Sequence, residues 1–441
     1  MFTGIDPENE PFLRALHFME NSTRSLFVTG KAGTGKSTLI KLFTKFTKKK
    51  VLILAPSGIS AINAGGQTIH SFFGFPLRPI LPGDKEIRRF RHDSQQKDII
   101  RNADVVIIDE ISMVRADLLD AIHHSLSLNT GINNIAFGGK QVVLIGDPFQ
   151  LPPVVRDDDE QVISYLYRSP YFFNASSFSR RFIEMIELQK VYRQRDDDFL
   201  QLLNKIRMNA CTENDLRVLN DRFYPNYEPG EDDYVITLCT TNAVADAINK
   251  RRLKQLSSPS KSFSGEVLGD FPLSSLPTEH ELELKEGAQV IFIRNDMSGR
   301  WVNGTIAKVI KLEEYSIQVQ LQNGQEYEIE PHEWENKKYK WDLDKWKIEQ
   351  EVLGTFTQYP IKLAWAITIH KSQGLTFDRA IIDIGRGTFA HGQLYVALSR
   401  CRSLRGLALR QKLSMSNVIV DDRVAKAHAE GFLNDEGLKL F

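Results

Sequence analysis

Short apolar runs recur through the first 190 residues, and each run is followed by small or acidic residues. These runs are Leu26–Val28, Val51–Leu54, Val105–Ile108 and Val142–Ile145. Helical patterns lie between several of them, and apolar strands that alternate with helices are typical of a parallel sheet covered on both faces. A second set of runs, Tyr234–Cys239 and Ala380–Ile384, predicts a second α/β domain. Because ligands of such sheets bind at the carboxyl ends of the strands, we expect the functional side chains there.

Between about Gly265 and Gly354 the pattern changes to short strands separated by turns. The predicted strands are Gln289–Ile293, Thr305–Val309, Ser316–Leu321 and Glu326–Ile329. Asn303-Gly304 and Asn323-Gly324 supply the residues that tight turns require. We interpret this region as a small β-barrel inserted into the second α/β domain. The predicted organisation is therefore a first domain at 1–185 with an accessory loop at about 62–85, a second domain formed by 186–264 and 355–441, and an inserted barrel at 265–354.

Composition limits the class of protein. The chain has 441 residues, of which 42% are hydrophobic and 25% charged, which predicts a globular protein of more than one domain. Lys plus Arg and Asp plus Glu number 56 each, so any polyanion must be bound by charge gathered on one face. The three cysteines form no CxxC pair, which argues against a disulfide framework, a zinc ribbon or an iron–sulfur cluster and fits a reducing compartment. No apolar run approaches the length of about 20 residues that a membrane span needs, so we expect an intracellular soluble protein without a membrane partner.

The stretch GKAGTGKST at residues 30–38 is the strongest chemical signal. It matches G-x-x-x-x-G-K-[ST] and follows a predicted strand, which is the context that a phosphate-binding loop requires. Backbone N–H groups of such a loop surround phosphate oxygens, and the following helix adds the positive end of its dipole. Lys36 is expected to reach the β- and γ-phosphates, and the Ser37 hydroxyl to bind Mg²⁺. The candidate nucleotide-binding residues here are Gly33, Thr34, Gly35, Lys36, Ser37 and Thr38.

Two further strand ends supply the rest of a hydrolytic site. Asp109 ends one apolar run and is placed to hold Mg²⁺, while Glu110 beside it can orient and deprotonate the attacking water. Gln150, in the Gly146–Pro153 stretch after another run, is long enough to touch a γ-phosphate. Arg193 and Arg400 are candidates for contacting the γ-phosphate from the second domain, where an arginine can contribute roughly 10³–10⁵ in rate. Together these residues predict hydrolysis of a nucleoside triphosphate.

The motifs also occur in a recognisable order. After the phosphate loop come Ala55–Ala61, Thr68–Phe73, Asp109–Met113, Gly146–Pro153, Lys190–Gln194, Leu363–Phe377 and Val396–Arg400. This order resembles that of superfamily-one DNA helicases, and the Ile111–Val114 run with its downstream helix resembles the PIF (petite integration frequency) family, over about residues 5–410. The resemblance implies an α/β fold of two RecA-like P-loop domains with a small Src-homology-type β-barrel inserted in the second. It also implies movement from 5′ to 3′ on single strands, and roles in DNA repair, recombination, telomere maintenance and the unwinding of G-quadruplexes.

The resemblance assigns further residues. Two polar clusters match the segments that hold the backbone of one DNA strand, with Phe72 or Phe73 as a stacking surface for a base. The candidate nucleic-acid-binding residues are Ser57, Gly58, Thr68, His70, Ser71, Phe72, Pro152, Pro153, Thr368, His370, Lys371, Ser372 and Gln373. Asn9 occupies the place where relatives carry a glutamine that reads adenine, and it is one methylene shorter. Gly374 is a further candidate for contact with the nucleotide.

We therefore expect an ATP-dependent 5′→3′ DNA helicase that uses ATP and Mg²⁺. Its expected partners are single-stranded DNA, duplex or fork DNA with a 5′ tail, and other DNA-maintenance proteins, and we expect a monomer in solution. The bacterial cytoplasm or nucleoid is the expected location, with the nucleus or mitochondrion as alternatives. A RecD-type helicase, a nucleotide-gated single-strand DNA clamp without unwinding, and a P-loop metabolite kinase remain open as alternative functions. The wedge that would separate a duplex is either the Pro76–Gly83 loop or part of the inserted barrel.

Overall fold

The computed structural model describes residues 6, 8–81, 83–194, 196–230, 233–296, 298–342 and 347–432. Position 82, in the loop considered above as a wedge, lies outside the described residues. The chain forms two compact units. The first consists of the described residues of Met1–Tyr192, Lys337–Glu351 and Asp421–Phe441, and the second of those of Arg193–Asn336 and Val352–Val420. Residues 337–351 and the segment from Asp421 thus belong with the first unit, which differs from the predicted domain boundaries.

The described residues contain the following helices. They are α1 (Glu10–Asn21), α2 (Lys36–Phe46), α3 (Gly58–Ala64), α4 (Ile69–Phe73), α5 (Gln95–Asn102), α6 (Ala116–Thr130), α7 (Asp157–Leu166), α8 (Asp197–Arg207), α9 (Glu213–Asn220), α10 (Asn242–Gln255), α11 (Gln393–Leu398) and α12 (Asp422–Ala429). Short 3₁₀ turns include Ile111–Met113 and Ala136–Gly139. None of the helices in this part of the chain has the length and hydropathy that crossing a membrane requires.

Strands make up most of the remaining regular structure. They are β1 (Ser25–Gly30), β2 (Val51–Ala55), β3 (Gln67–Thr68), β4 (Val105–Ile108), β5 (Gln141–Ile145), β6 (Ile183–Leu188), β7 (Ile236–Cys239), β8 (Lys261–Ser264), β9 (Glu266–Gly269), β10 (Glu281–Leu284), β11 (Gln289–Phe292), β12 (Ile306–Leu312), β13 (Ile317–Leu321), β14 (Glu326–Ile329), β15 (His332–Asp342), β16 (Lys347–Gln358), β17 (Ile361–Leu363), β18 (Ala366–Thr368), β19 (Ala380–Asp383) and β20 (Leu407–Leu409).

A six-stranded parallel sheet in the order β3-β2-β4-β5-β1-β6 organises the first unit. All four apolar runs predicted in this region are strands of the sheet, which confirms the parallel α/β prediction. The central strands are buried along their whole length because helices pack on the sheet. On one face, Phe12 and Leu16 of α1 and Leu39 and Phe43 of α2 join the strand side chains in one hydrophobic core. This packing holds the carboxyl ends of β1, β4 and β5 side by side.

Residues from distant parts of the chain complete the first unit. The Tyr339 hydroxyl lies 3.3 Å from both the backbone nitrogen and the carbonyl oxygen of Ile53, on β2. Near the chain's end, Phe432 contacts the ring of Phe27 with centroids 6.0 Å apart, and Asp421 accepts a 2.9 Å hydrogen bond from the Tyr171 hydroxyl. These contacts explain why residues 337–351 and the segment from Asp421 group with this unit.

The second unit contains a four-stranded parallel sheet in the order β18-β7-β19-β20. The predicted runs at Tyr234–Cys239 and Ala380–Ile384 supply its two central strands, so the prediction of a second α/β sheet is confirmed. Helix α10 contacts β7 and β18, and the Asn249 side chain on it bonds both backbone groups of Ala366, at 2.8 Å and 2.9 Å.

An antiparallel sheet in the order β14-β13-β12-β11-β17 fills much of the region predicted to be β-rich. The four strands predicted there are all present, with bounds that differ by a few residues. Gly304 and Gly324 have φ angles of 94° and 80°, which explains the glycine in each Asn-Gly turn. The core includes the Phe292 and Trp301 rings, stacked with centroids 4.2 Å apart. Strand β17 joins this sheet from outside the predicted 265–354 boundary.

Candidate functional site

The phosphate loop follows β1 at the carboxyl edge of the first unit's sheet. Gly30 has a φ of 151°, and a Cβ there would lie 2.6 Å from the Leu188 carbonyl oxygen, so the loop leaves the strand along a path that only glycine permits. Gly35, with a φ of 92°, precedes α2 and provides no side-chain cap for it. A helix that starts without a side-chain cap presents N–H groups and positive dipole charge to an anion. The loop therefore has the geometry of a phosphate site.

Lys36 extends across this loop. Its ammonium donates to the carbonyl oxygens of Gly30 at 2.7 Å and Lys31 at 3.0 Å. The Thr34 hydroxyl donates to the Lys31 carbonyl at 2.9 Å and is buried, whereas Ser37 and Thr38 on the first turn of α2 are exposed. Loop carbonyls thus position the Lys36 charge at the place where nucleotide phosphates would bind.

Asp109 and Glu110 follow β4 on the same edge. The Asp109 N–H donates to the Leu54 carbonyl at 3.0 Å, and its carboxylate accepts the Glu110 N–H at 2.9 Å. Glu110 has a φ of 51°, a left-handed conformation that costs a non-glycine residue of order 1–3 kcal/mol and is frequent at functional sites. Burial and the Glu110 charge raise the pKa of Asp109 to about 7, while the Lys36 charge acts in the opposite direction.

The donor set fits a magnesium ion bound together with a nucleotide. No cluster of three or more His, Cys, Asp or Glu side chains suited to a metal occurs in the described residues. Mg²⁺ typically takes one or two protein ligands and completes its shell with phosphate oxygens and water. The Ser37 hydroxyl and the Asp109 carboxylate are the ligands expected from sequence, and each remains a prediction.

The loop after β5 lies against the Asp109 segment. A Cβ at Gly146 would lie 2.9 Å from the Ile111 side chain, so the two loops are in close contact. Asp147 is buried and accepts the Phe149 N–H at 3.2 Å, and the Gln150 amide lies 3.5 Å from its other oxygen. Gln150 is itself 6% exposed, which fixes its side chain within the loop. Pro152 is half-buried and Pro153 buried.

Asn9 belongs to a network that the sequence analysis missed. Its side-chain Oδ1 accepts the Phe12 N–H at 3.3 Å as the cap of α1, and its side-chain Nδ2 donates to the Tyr192 hydroxyl at 2.9 Å. The Tyr192 hydroxyl donates to Asp6 at 3.1 Å, and the Tyr192 backbone N–H donates to the Gly33 carbonyl of the phosphate loop at 2.9 Å. With 3% of its surface exposed, Asn9 acts here as a structural residue, and contact with a base remains a prediction.

The first polar cluster follows β2 and β3. Ser57 caps α3 through the Ser60 N–H at 3.2 Å, and Thr68 caps α4 through the Ser71 N–H at 3.3 Å. Gly58 begins α3, and Ser71 is exposed. Burial, reinforced by the charge of Arg115, lowers the pKa of His70, which keeps its imidazole neutral near pH 7.

Phe72 and Phe73, one of which is expected to offer a base-stacking surface, are both buried in the structure, and contact with a base remains a prediction. Each ring is 2% exposed, and the two contact each other edge to face with centroids 4.9 Å apart. Phe73 also stacks on Phe75 at 5.0 Å. The i, i+1 aromatic pair is part of a hydrophobic core beneath the polar cluster.

The second polar cluster follows β18 in the second unit. Thr368 accepts the Lys371 N–H at 3.3 Å, and the buried Ser372 hydroxyl donates to the Ile369 carbonyl at 2.7 Å. These bonds fold the segment into a tight turn that leaves Lys371 exposed and His370 half-buried, with the pKa of His370 lowered by burial. The Gln373 amide nitrogen is buried without a hydrogen-bond partner in the described chain. Gly374 completes the turn with a φ of 78°.

Arg400 connects this turn to α11. Its guanidinium donates to the carbonyl oxygens of Ser372 at 3.3 Å and Leu375 at 3.4 Å, and to that of Val396 at 2.9 Å. The side chain is 1% exposed. The adjacent Ser399 carbonyl accepts from Arg193 at 3.4 Å and from the Gln194 amide at 3.0 Å. Both predicted arginines therefore lie in one hydrogen-bonded cluster with the predicted nucleic-acid segment. Gln194, beside Arg193 in sequence, also belongs to this cluster and was not predicted.

A phosphate loop, an Asp-Glu pair at a neighbouring strand end and a third loop against it define a P-loop nucleoside triphosphatase of α/β fold. Comparison with known proteins shows to which family of P-loop nucleoside triphosphatases the chain is similar. A family model described as PIF1-like helicase matches residues 8–216, and one described as UvrD-like helicase C-terminal domain matches residues 363–407.

Individual relatives agree with these matches. The ATP-dependent DNA helicase Pif1 of Campylobacter jejuni is 33% identical over 400 residues, which cover 85% of this chain and 86% of the relative. That of Xenopus laevis is 34% identical, and the match covers 88% of this chain but only 59% of the longer frog protein. The crystal structure of Bacteroides Pif1 with ADP-AlF4 matches with a TM-score of 0.89 at 37% identity, over 97% of this chain and 99% of that structure. The crystal structure of Bacteroides Pif1 with single-stranded DNA matches with a TM-score of 0.69 at 36% identity, over 99% of this chain and 100% of that structure. The chain belongs to the Pif1 family of ATP-dependent DNA helicases.

Proposed function

We propose that this chain is an ATP-driven motor that moves from 5′ to 3′ along single-stranded DNA and separates duplex ahead of it. The Arg400 side chain carries this proposal. It is a predicted nucleotide-sensing arginine, and its guanidinium hydrogen-bonds the Ser372 and Leu375 carbonyls of the predicted strand-binding turn. A group shared by both functions gives a direct route by which nucleotide state can change the grip on DNA.

On the nucleotide side, Lys36 and the N-terminus of α2 bind phosphates, and Ser37 and Asp109 hold Mg²⁺. The metal ion supplies charge neutralisation on the phosphate oxygens. Glu110, held at a fixed angle by its left-handed backbone, orients the attacking water and accepts its proton. Gln150, Arg193 and Arg400 stabilise charge on the γ-phosphate, and Gly374 contacts the nucleotide.

On the DNA side, the two polar clusters hold one strand by its backbone. Hydroxyl, amide and ammonium groups contact phosphate and sugar without reading bases, which suits a motor that must pass every sequence. The buried Gln373 amide nitrogen supports this role, because an unpaired buried donor is costly and a phosphate oxygen would satisfy it. Pro152 and Pro153 would stiffen the loop that links Gln150 to the strand. The Bacteroides relative has been crystallised with single-stranded DNA, and a further similar Pif1 structure concerns DNA unwinding at forked duplex DNA by two coordinating helicases.

The architecture follows the same reasoning. We propose that the two parallel sheets are RecA-like domains, and that the antiparallel sheet of β11–β14 and β17 is the core of an inserted Src-homology-type barrel. The nearest alternative functions are a RecD-type helicase and a nucleotide-gated clamp that binds a strand without unwinding it.

Unwinding of paired substrates with either a 5′ or a 3′ single-stranded tail tests the proposal. We expect ATP-dependent strand separation with the 5′ tail alone. The Lys36→Ala variant should bind the tail but neither hydrolyse ATP nor unwind, whereas Lys41→Ala, an exposed lysine on the same helix, should behave as wild type. Unwinding from the 3′ tail would refute the direction, and DNA-stimulated hydrolysis without unwinding of either substrate would indicate a clamp.

A further inference from the structure

A small depression with an arginine rim lies in the second unit. Its floor is formed by Val235, Leu407 and Ala408, its rim includes Arg222, Arg379 and Arg405, and its volume is about 220 Å³. We call it the arginine notch. Val235 precedes β7 and Leu407 begins β20, so the notch lies at the amino ends of these strands. The strand-binding turn follows the carboxyl end of β18, at the opposite edge of the same parallel sheet.

Arg222 is held in place as part of the notch wall. Its Nε donates to the Leu407 carbonyl at 2.8 Å, one terminal nitrogen donates to the Arg405 carbonyl at 2.8 Å, and the other lies 3.4 Å from the Tyr224 hydroxyl. All of these partners are neutral. A guanidinium fixed in this way loses little conformational freedom when an anion binds, and its charge remains uncompensated.

The rim has an excess of positive charge. Arg379 pairs with Asp233 at 3.2 Å, and Glu228 is shared between Arg252 and Arg410 at 3.9 Å and 3.7 Å. Within the described residues, neither Arg222 nor Arg405 pairs with a carboxylate, and Arg405 is exposed. Of the three rim arginines, Arg379 alone has a carboxylate partner within the described residues, Asp233.

The size and floor of the notch restrict what can bind. Pockets for drug-sized ligands usually enclose about 300–1,000 Å³, so a cavity of about 220 Å³ accommodates one large side chain rather than a nucleoside phosphate. The floor is apolar, which favours an aromatic or branched aliphatic group over a bare phosphate. Carboxylates match the planar fork of an arginine and can pair with it through two hydrogen bonds. The C-terminal residue of a peptide carries a side chain and a carboxylate close together, as this arrangement requires.

We propose that the arginine notch binds the acidic C-terminal tail of a partner protein, with the tail's last apolar side chain on the Val235–Leu407–Ala408 floor and its carboxylates on Arg222 and Arg405. A tail bound at the amino ends of the strands would leave uncovered the strand-binding turn at the carboxyl end of β18 in the same sheet. The helicase could therefore hold such a partner while it moves.

Fluorescence anisotropy with a labelled synthetic peptide tests this site. The probe is a short peptide of Asp and Glu residues that ends in Leu-Phe with a free carboxylate, and its matched control ends in Leu-Ser. We expect the 441-residue chain to bind the Phe peptide more tightly than the Ser peptide, with an affinity that falls as salt is added. Arg405→Glu should weaken binding about tenfold or more. Arg251→Glu, an exposed arginine on α10 outside the notch, should leave binding unchanged.

Several results of this experiment would overturn the proposal. Equal affinity for the Phe and Ser peptides, or for wild type and Arg405→Glu, would exclude an apolar tail in the notch. Competition by inorganic phosphate or duplex DNA at constant ionic strength would identify a phosphate site instead. Self-association that Arg405→Glu abolishes would identify a second copy of the chain as the occupant. DNA-stimulated ATP hydrolysis by Arg405→Glu should equal that of wild type, which separates failure of the notch from failure of the motor.

Discussion

Arg400 illustrates how one side chain can serve two parts of a mechanism. A residue predicted from sequence as a γ-phosphate contact proves to be 1% exposed and bonded to the turn that is predicted to hold DNA. The sequence motif predicts the nucleotide contact of Arg400 but not its bonds to the Ser372 and Leu375 carbonyls. These carbonyls are backbone groups, and their positions depend on the fold.

The Arg400→Lys variant tests the nucleotide role and the DNA role of this side chain in two separate measurements. Lysine keeps the charge but lacks the planar fork, so it cannot reproduce the bonds to Ser372 and Leu375. We expect ATP turnover to fall by about 10³ or more, and single-strand affinity without nucleotide to fall about thirtyfold, because two hydrogen bonds worth about 1 kcal/mol each are lost. Single-turnover hydrolysis and anisotropy with an oligonucleotide measure these effects. Unchanged DNA affinity would restrict Arg400 to the nucleotide, and Arg402→Lys, at a surface pair with Asp378, is the control.

The two histidines of the polar clusters predict a pH dependence of DNA binding. Burial lowers the pKa of both His70 and His370, so neither carries charge at neutral pH before DNA binds. An adjacent phosphate favours the imidazolium and raises the pKa, so binding takes up protons and affinity should rise as pH falls from about 8 to 6. Anisotropy titrations at constant ionic strength measure the slope, and His370→Asn should reduce it. A flat profile would show that neither ring contacts phosphate.

At the scale of elements, the apolar runs were sufficient to predict the central strands, because strands buried on both faces have little freedom in composition. Strand β6 was not predicted because Glu184 and Glu187 interrupt its apolar pattern. Within the described residues β6 is an edge strand that pairs with β1 alone, and such a strand tolerates polar side chains. The grouping of Tyr339 and Asp421 with the first unit also depends on contacts far apart in sequence. The burial of Phe72 could not be predicted from the sequence, because an aromatic residue beside polar ones has the same local pattern whether it stacks on a base or fills a core.

The turn after α6 offers a test of element packing. Phe137, Gly138 and Gly139 have φ angles of 55°, 62° and 76°, and a Cβ at Gly138 would lie 2.7 Å from the Leu126 carbonyl oxygen. Gly138→Ala should lower the free energy of unfolding by about 2–5 kcal/mol, from both the left-handed backbone and the overlap. Gly131→Ala, with a φ of 81° and no atom within 4 Å of the added Cβ, should cost only about 1–2 kcal/mol. Denaturant unfolding of the two variants compares them, and equal losses would show that the close contact relaxes.

At the scale of the whole molecule, the balanced charge of 56 basic and 56 acidic residues is informative about how DNA is held. Proteins that rely on many Lys–phosphate contacts lose affinity steeply with salt because each contact releases a counterion. In the two polar clusters the described side chains are mainly hydroxyls, amides and neutral imidazoles, with Lys371 as the exposed cation. On the proposed function, such a surface would hold the strand through hydrogen bonds whose number need not change as the motor passes from one sequence to another.

This balance predicts a shallow salt dependence. For single strands the slope of log affinity against log salt is about −0.7 per phosphate neutralised, so the single contact of Lys371 gives roughly a 2.6-fold loss between about 50 and 200 mM salt. Lys371→Gln should reduce the magnitude of the slope by about 0.7, whereas the loss of a hydroxyl, as in Ser71→Ala, should lower affinity and leave the slope unchanged. Oligonucleotide titrations over this range measure both quantities. A slope steeper than about −3 would mean that phosphates are neutralised by lysines and arginines outside the two clusters, and the strand would then follow a path other than the one these residues define.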